Sequence, residues 1–176
     1  MATAGTTRAA TTADKLRATM NRTGICRLIA AILLTTTMLC SCNNNIVYDH
    51  YESTSLEGWA RNDTISFAVP AATASGDYET SLGMRINSAF PFMSITMIVE
   101  RNIIPRHMLI TDTLTCPLID KKGKPLGQGL NFFQYTFPLK NVALSEGDSV
   151  AIKVRHDMRM EMLPGVADIG IRLTKK

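Results

Sequence analysis

The sequence predicts an all-β protein: a single antiparallel β-sandwich, jelly-roll-like, of about eight strands after a lipoprotein signal peptide. Apolar and polar residues alternate over short runs such as 65–69 and 150–154, the pattern of strands that bury one face. Gly-containing turn sequences at 75–77, 122–125 and 146–148 separate such runs. Because no long amphipathic helical pattern interrupts them, we expect one domain of short strands.

Eight candidate strands follow one another along the chain. They span residues 46–51, 64–69, 78–86, 94–101, 112–119, 132–139, 149–155 and 168–174. Between the last two, residues 156–163 fit a turn or a short helix. A domain of about 135 residues buries roughly two-thirds of the surface of its unfolded chain, so residues 46–176 can form a stable core.

The N-terminal part of the sequence predicts an export signal that ends at a lipid-bearing cysteine. A basic segment, 20–27, precedes the apolar run 28–39, which is too short for a bilayer span of about 20 residues but fits a secretory signal. Leu39 to Cys42 resembles a lipobox, which predicts cleavage between Ser41 and Cys42 and acylation of Cys42. The alternative is a buried helix over 28–39 with an ordinary Cys42 thiol. The basic flank and the run length favour the signal.

These boundaries divide the chain into four parts. We expect residues 1–19, which are polar and rich in Ala and Thr, to be a non-native extension before a translation start at Met20. Residues 20–41 are then the signal peptide, 42–45 a lipidated tether and 46–176 the β-sandwich domain.

Acyl chains such as palmitate on Cys42 would hold the domain on a membrane without crossing it. Each buried methylene contributes about 0.8 kcal/mol, so one chain binds marginally and two or three bind stably. Cys116 is the other cysteine of the processed chain. We therefore expect no internal disulfide, and a Cys116 thiol packed among apolar neighbours.

The charge distribution argues against a nucleic-acid partner. The net charge of +4 comes from residues 1–41, which hold five basic residues and one acid, whereas residues 42–176 hold 14 of each sign. A basic domain surface is the signature of nucleic-acid binding. The predicted domain lacks that excess.

The sequence offers no recognisable catalytic or cofactor site. His50, His107 and His156 are far apart and lack the paired spacing of a metal site. The Gly-rich loop 123–129 lacks the spacing of a phosphate loop. Carboxylate pairs of the glycosidase kind meet only in the fold and stay open. We expect a protein that is not an enzyme and has no cofactor, metal or small-molecule substrate.

Aromatic residues leave a second function class open. Trp59 and the stretch 132–135 could stack on a sugar, which makes a glycan-binding sandwich the alternative function. Packing between sheets is the commoner role of such rings.

A methionine-rich segment is the candidate partner surface. Met158, Arg159, Met160 and Met162 combine adaptable apolar side chains with an arginine, a composition suited to a protein partner. The competing interpretation is that Met158 and Met162 plug one end of the sandwich.

The order of several motifs resembles that of a known family. They are Val47-Tyr48-Asp49, Trp59, Tyr78, Arg85, Phe90-Pro91-Phe92, Asp112-Thr113-Leu114, Gly123, Gly127, Gly129, His156-Asp157-Met158-Arg159 and Leu163-Pro164-Gly165-Val166-Ala167-Asp168-Ile169-Gly170-Ile171. This order resembles the GldH gliding-motility lipoproteins of Bacteroidota over nearly all of 42–176. The run 163–170 is its most specific part. Pro125-Leu126 departs from the family pattern, which has a tryptophan between the glycines.

The resemblance implies an accessory lipoprotein of the gliding and type IX secretion apparatus, with other envelope proteins as partners and no catalytic residue. Relatives also occur in bacteria that do not glide, so secretion or envelope assembly is the more portable role. Residues 43–45 contain neither the Asp that often retains lipoproteins at the inner membrane nor the acidic tract typical of surface export. We therefore expect the periplasmic face of the outer membrane.

Three tripeptides resemble the Asp-Ser/Thr-aliphatic acceptor of O-glycosylation in exported Bacteroidota proteins. Their hydroxyls belong to Thr64, Thr113 and Ser149. Strand starts also place a polar turn residue before β-branched ones, so both interpretations stay open. We expect a glycan on at least one of the three, and an intact mass from the native host of polypeptide plus lipid alone would contradict this.

We predict that Cys42→Ala abolishes acylation and leaves the sandwich folded, because the lipobox selects this sulfur and the strand pattern begins at residue 46. Metabolic labelling with a fatty acid measures the first effect. Label that persists in the variant would mean that another cysteine carries the lipid.

Overall fold

The computed structural model describes Arg27 and residues 45–176, and the latter consist of strands, turns and bends without a helix. Within residues 45–176 there are eleven strands. They are β1 (Ile46–Ser53), β2 (Trp59–Ala60), β3 (Ile65–Val69), β4 (Gly76–Asn87), β5 (Ser94–Ile104), β6 (Met108–Pro117), β7 (Phe132–Pro138), β8 (Val142–Leu144), β9 (Ser149–His156), β10 (Met162–Leu163) and β11 (Val166–Lys175). In the described part of the chain, no helix has the length and hydrophobicity needed to cross a membrane. The predicted cleavage and lipidation sites, Ser41 and Cys42, lie outside the described residues.

The predicted all-β class is confirmed, and each of the eight predicted runs contains a strand. The strands β2, β8 and β10 were not predicted because two or three residues are too few to show an alternation. The short helix considered for residues 156–163 is wrong. That segment ends β9, bends, and then forms β10.

The strands form two facing sheets and a short ribbon. The order in the five-stranded sheet is β1-β11-β4-β7, with β8 also paired to β4, and the order in the four-stranded sheet is β3-β9-β5-β6. β2 pairs with β10, and every pairing is antiparallel. When the eight strands of five or more residues are numbered in chain order, the sheets read 1-8-3-6 and 2-7-4-5. This is the jelly-roll order, built from two Greek keys.

The predicted alternation places one face of each long strand in a common core. In β3, Ile65, Phe67 and Val69 are buried, whereas Ser66 and Ala68 are exposed. The same alternation holds in β5 and β9. Successive side chains of a strand point to opposite faces, so residues two apart share a face. Burying these apolar faces contributes about 25 cal/mol per Å².

A buried ion pair of the four-stranded sheet is also hydrogen-bonded to the segment that follows β7 of the other sheet. Nη2 of Arg101 in β5 donates to Oδ2 of Asp112 in β6, and Nη1 donates to the carbonyl oxygen of Lys140, beyond β7, at 2.6 Å. Both side chains of the pair are buried. Removing one partner of such a pair leaves an unpaired buried charge and costs about 3–5 kcal/mol. Asp112 is therefore a structural residue.

Cys116 packs in the core, as predicted. Burial raises the pKa of its thiol to about 11. Because the thiolate is the reactive form, Cys116 is an unreactive packing residue at neutral pH.

Trp59 and His156 pack together in the core. Their rings meet edge-on, with centroids 5.1 Å apart. Nε2 of His156 lies 3.1 Å from the carbonyl oxygen of Trp59, and Nδ1 accepts from the N–H of Met158 at 3.3 Å. This pattern fits a neutral imidazole with its proton on Nε2. Burial lowers the pKa of His156, and the hydrogen bond to the carbonyl of Trp59 opposes that shift.

We predict that the protein loses stability as the pH falls below about 6.5, the ordinary pKa of histidine. The folded-state pKa of His156 is depressed, so below pH 6.5 the unfolded chain binds a proton that the folded chain does not. The stabilisation is complete above that pH and is lost as the pH falls toward the folded-state value. Urea unfolding at pH 7.5 and 5.5 measures it.

His156→Gln removes the titrating group, so we expect a smaller loss between the two pH values. His50→Gln, at an exposed position of β1, is the control and should keep the full loss. An equal loss in wild type and His156→Gln would contradict the assignment.

Candidate docking surface

The outer face of the five-stranded sheet carries three rows of residues that cross the strands in register. The rows are Asp49, Arg172 and Ser81; Tyr51, Gly170 and Gly83; and Ser53, Asp168, Arg85 and Gln134. Directly opposed residues of neighbouring strands lie about 4.5–5.5 Å apart. Register pairing thus places Ser53 beside Asp168, 115 positions later in the chain.

Asp168 organises the third row. Its Oδ2 accepts from Nε and Nη2 of Arg85 at 2.8 and 2.6 Å, and its Oδ1 accepts from the hydroxyl of Ser53 at 2.8 Å. The Asp168 side chain is 11% exposed, whereas that of Arg85 is 48% exposed. Within the described residues, no hydrogen bond uses Nη1 of Arg85. The pair therefore holds a planar guanidinium in one orientation with donors free for a partner.

Tyr51 lies across the second row. A Cβ built on Gly170 would be 2.5 Å from Cε1 of Tyr51, and one built on Gly83 would collide with its hydroxyl. Neither glycine has a positive φ, so both are needed for space. Nε2 of Gln134 donates to the Tyr51 hydroxyl at 3.3 Å. One ring thereby spans β1, β11 and β4 and reaches β7.

A cleft of about 300 Å³ lies beside the third row, and we call it the distal cleft. It is lined by Ser53, Thr54, Ser55, Leu56, Arg85, Asn87, Phe132, Gly165, Val166, Ala167 and Asp168. Backbone hydrogen bonds from Thr54 to Ala167 and from Asn87 to Gly165 fix its walls. Leu56 is fully exposed and Phe132 is 51% exposed. The cleft thus combines an oriented arginine with two exposed apolar side chains.

The distal cleft lies at the end of β1 opposite to Ile46, the first residue of that strand. β1 begins at Ile46, directly after the predicted tether, and ends at Ser53 in the cleft. Seven steps of about 3.3 Å each separate these residues by about 23 Å.

The predicted methionine segment adjoins this surface in part. Met158 is half-buried, and its sulfur accepts from the N–H of Thr96 at 3.4 Å. Arg159, Met160 and Met162 are exposed. A Cβ on Gly58, in the turn after Leu56, would be 3.0 Å from Cγ of Met162. Met158 thus packs as the plug interpretation requires, but Met162 does not, since it is exposed. Arg159, Met160 and Met162 remain candidates for a partner surface.

Of the four aromatic residues that motivated the glycan alternative, two are buried, Phe133 is half-buried and Phe132 is exposed. Trp59 is completely buried, and its indole N–H donates to the carbonyl of Asp63 at 3.2 Å. Tyr135 is buried, and its hydroxyl donates to the carbonyl of Leu118 at 3.0 Å. Neither ring can form a sugar-stacking platform.

The three predicted glycosylation hydroxyls lie in different surroundings. Thr64 and Thr113 are exposed, and Ser149 is half-buried. The aspartates that precede Thr113 and Ser149 are buried and form ion pairs with arginines. Asp63-Thr64-Ile65 is the tripeptide in which the aspartate and the threonine are both exposed. Glycosylation of the three hydroxyls stays a prediction.

The structure also places the titratable residues. Among residues 45–176, no three His, Cys, Asp or Glu side chains lie close enough together to hold a metal ion. His50 lies on β1 with Nε2 2.9 Å from Glu52, and His107 is exposed in the turn before β6.

Three residues of this surface, Tyr51, Ser53 and Leu56, were not predicted from the sequence. The available signal was the pair of glycines at 83 and 170, each inside a predicted strand. An isolated strand glycine indicates the close approach of another group.

We predict that Gly170→Ala destabilises the protein by about 1–3 kcal/mol, because the added methyl overpacks against Tyr51. In a Tyr51→Ala background the same change should be neutral or stabilising, since glycine in a strand costs about 0.5–1 kcal/mol relative to alanine. The free energy of unfolding of the four variants forms a double-mutant cycle that measures this coupling.

Gly147→Ala is the matched control. Gly147 has φ +88° and no atom near its Cβ position, so its penalty should be the same in both backgrounds. An equal effect of Gly170→Ala with and without Tyr51 would contradict the proposed contact.

Two known proteins are similar to this chain over most of its length. The chain is 24% identical over 152 residues to a gliding motility lipoprotein GldH homolog of Christiangramia forsetii, across 81% of this chain and 92% of that protein. It is 26% identical over 152 residues to the gliding motility lipoprotein GldH of Flavobacterium johnsoniae, across 82% and 94%.

Among solved structures, the fold is similar to Eiger TNF from S. frugiperda, with a TM-score of 0.30 and 11% identity over 76% of this chain and 94% of that one. The model of the GldH lipoprotein family matches residues 46–173, from the start of β1 into β11. The resemblance seen in the sequence is confirmed, and the chain belongs to the GldH lipoprotein family.

Proposed function

We propose that this protein is a non-enzymatic, lipid-anchored accessory component of the cell envelope that binds a protein of a gliding-motility or type IX secretion apparatus through the distal cleft. The observation that carries this proposal is the cleft itself. It presents Arg85, held by Asp168, between the exposed side chains of Leu56 and Phe132. Aromatic residues and arginine are enriched in the centres of protein interfaces.

Family membership supports the anchor and the process. The matching family is one of lipoproteins, and the two similar proteins carry gliding motility in their names. Residues 43–45 contain no acidic residue, which supports a location of the protein at the periplasmic face of the outer membrane. Acylated Cys42 would then anchor the domain through residues 43–45, and the distal cleft would bind another envelope protein.

A binding role accounts for the chemistry of the cleft better than catalysis does. Both oxygens of Asp168 accept hydrogen bonds from Arg85 and Ser53, so this carboxylate is occupied in a structural network. Nucleophilic catalysis needs a nucleophile beside a free base. The hydroxyl of Ser53 does donate to Asp168, but that carboxylate is already ion-paired with Arg85, and the cleft lining contains no histidine. Of the rings that suggested glycan binding, Trp59 and Tyr135 are buried, and Phe132 is the exposed one in the cleft.

We predict that Leu56→Ser combined with Phe132→Ser reduces recovery of the partner about tenfold or more, because truncating two interface anchors costs at least about 1.4 kcal/mol. Chemical crosslinking and affinity purification from intact native cells measure the recovery. Met93→Ser, at another exposed apolar position outside the cleft, is the control and should leave it unchanged.

Arg159→Glu tests whether the methionine segment extends the same surface. We expect nearly unchanged folding and weaker recovery of the same partner. If both cleft and Arg159 variants recover that partner fully and complement a deletion, the docking site lies elsewhere. Fatty-acid labelling should be the same in every variant, because Cys42 is unchanged.

A further inference from the structure

We propose that an extended, acidic segment of another envelope protein adds to the free edge of β6 as an extra strand. It would lie in the β6–β7 seam, which we define as the gap between residues 111–117 and residues 134–140. The seam is separate from the distal cleft, with which it shares no lining residue. It would give the protein a second binding surface.

β6 presents a long and regular free edge. Ten consecutive residue pairs join it to β5 without a register shift. Within residues 45–176, no backbone hydrogen bond reaches residues 108–116 from any strand or loop other than β5. In an antiparallel pair, some of the backbone N–H and C=O groups of each strand point away from the paired strand. The edge therefore offers a row of unpaired groups that a further strand can satisfy.

The other edges carry features that discourage strand addition. β1 has Asp49 and Glu52 and a register shift near its start, and β3 is only five residues long. β7 exchanges two backbone hydrogen bonds with Gln128, which occupy part of its edge. By contrast, the outward side chains along the middle of β6 are those of Thr111, Thr113 and Thr115, uncharged and compatible with a neighbouring strand.

The seam has room for the side chains of an added strand. A cavity of about 240 Å³ lies between residues 111–114 and residues 138–140, and a second of about 520 Å³ lies between Pro117 and residues 134–137. The half-buried side chains of Leu114 and Phe137 line them. Alternate residues of a strand point to one face about 7 Å apart. Apolar residues at every second position would enter these cavities.

The charges beside the seam select an acidic occupant. Residues 118–141 contain four lysines and one acid, Asp120. The Asp120 carboxylate accepts from the backbone N–H groups of Lys122 and Lys124, each at 2.8 Å. Lys140 is 78% exposed and lies 3.4 Å from Oδ1 of Asp112, a carboxylate whose other oxygen is paired with Arg101. Complementary charges favour a partner segment with acidic residues on its solvent face.

A photo-crosslinking residue in place of Thr113, in the full chain within native cells, tests the proposal. We expect a crosslink to a segment of another envelope protein in which apolar and acidic residues alternate. The triple variant Lys121→Glu, Lys122→Glu, Lys124→Glu should reduce the crosslink yield at least fivefold. Lys153→Glu, an exposed change on β9 of the same sheet, is the matched control and should not reduce it.

Equal urea midpoints for these variants establish that the surface changes leave the domain folded. Four results would overturn the proposal: no crosslink, a crosslink to a second copy of this chain, a crosslink to a segment without alternating acidic residues, or a yield that survives the triple charge reversal.

Discussion

The packing of Tyr51 over Gly170 and Gly83 holds three strands of the five-stranded sheet in one register. Because a side chain at either glycine would collide with the ring, this contact requires glycine at both paired positions. The next row of the sheet places Ser53, Asp168 and Arg85 side by side. A slip of one residue in any strand would turn its side chains to the opposite face. The oriented arginine of the distal cleft therefore depends on the tyrosine–glycine contact beside it.

The rest of the jelly roll supplies a rigid frame for two binding surfaces. The Arg101–Asp112 pair ties β5 and β6 to the segment after β7, and the His156–Trp59 contact ties β9 to β2. These contacts use buried polar groups that are nearly all paired; within the described residues, Nε of Arg101 is the one buried side-chain nitrogen or oxygen without a partner. The distal cleft and the β6–β7 seam are both formed in the folded domain, so the proposed binding requires no rearrangement of the strands.

Much of the fold could be predicted from the sequence, because period-two alternation is a direct consequence of burying one face of a strand. The runs at 64–69, 149–155 and 168–174 are predicted for this reason. The cleft could not be predicted in the same way. Arg85 and Asp168 belong to different strands, and their pairing depends on register, which no local pattern encodes. The sequence around Leu56 gives no sign that this leucine is fully exposed, and only the folded structure shows it.

Occupation of the distal cleft by a partner can be observed directly by amide hydrogen exchange. The exchange rates of residues 53–56, 130–134 and 163–168 would be compared between the protein in native membranes and the same protein purified in detergent. Protection of these three segments in native membranes, with unchanged exchange in the buried strand β5, is the predicted result. Equal exchange of the three segments in both states, with protection confined to other surfaces, would contradict a docking role for the cleft.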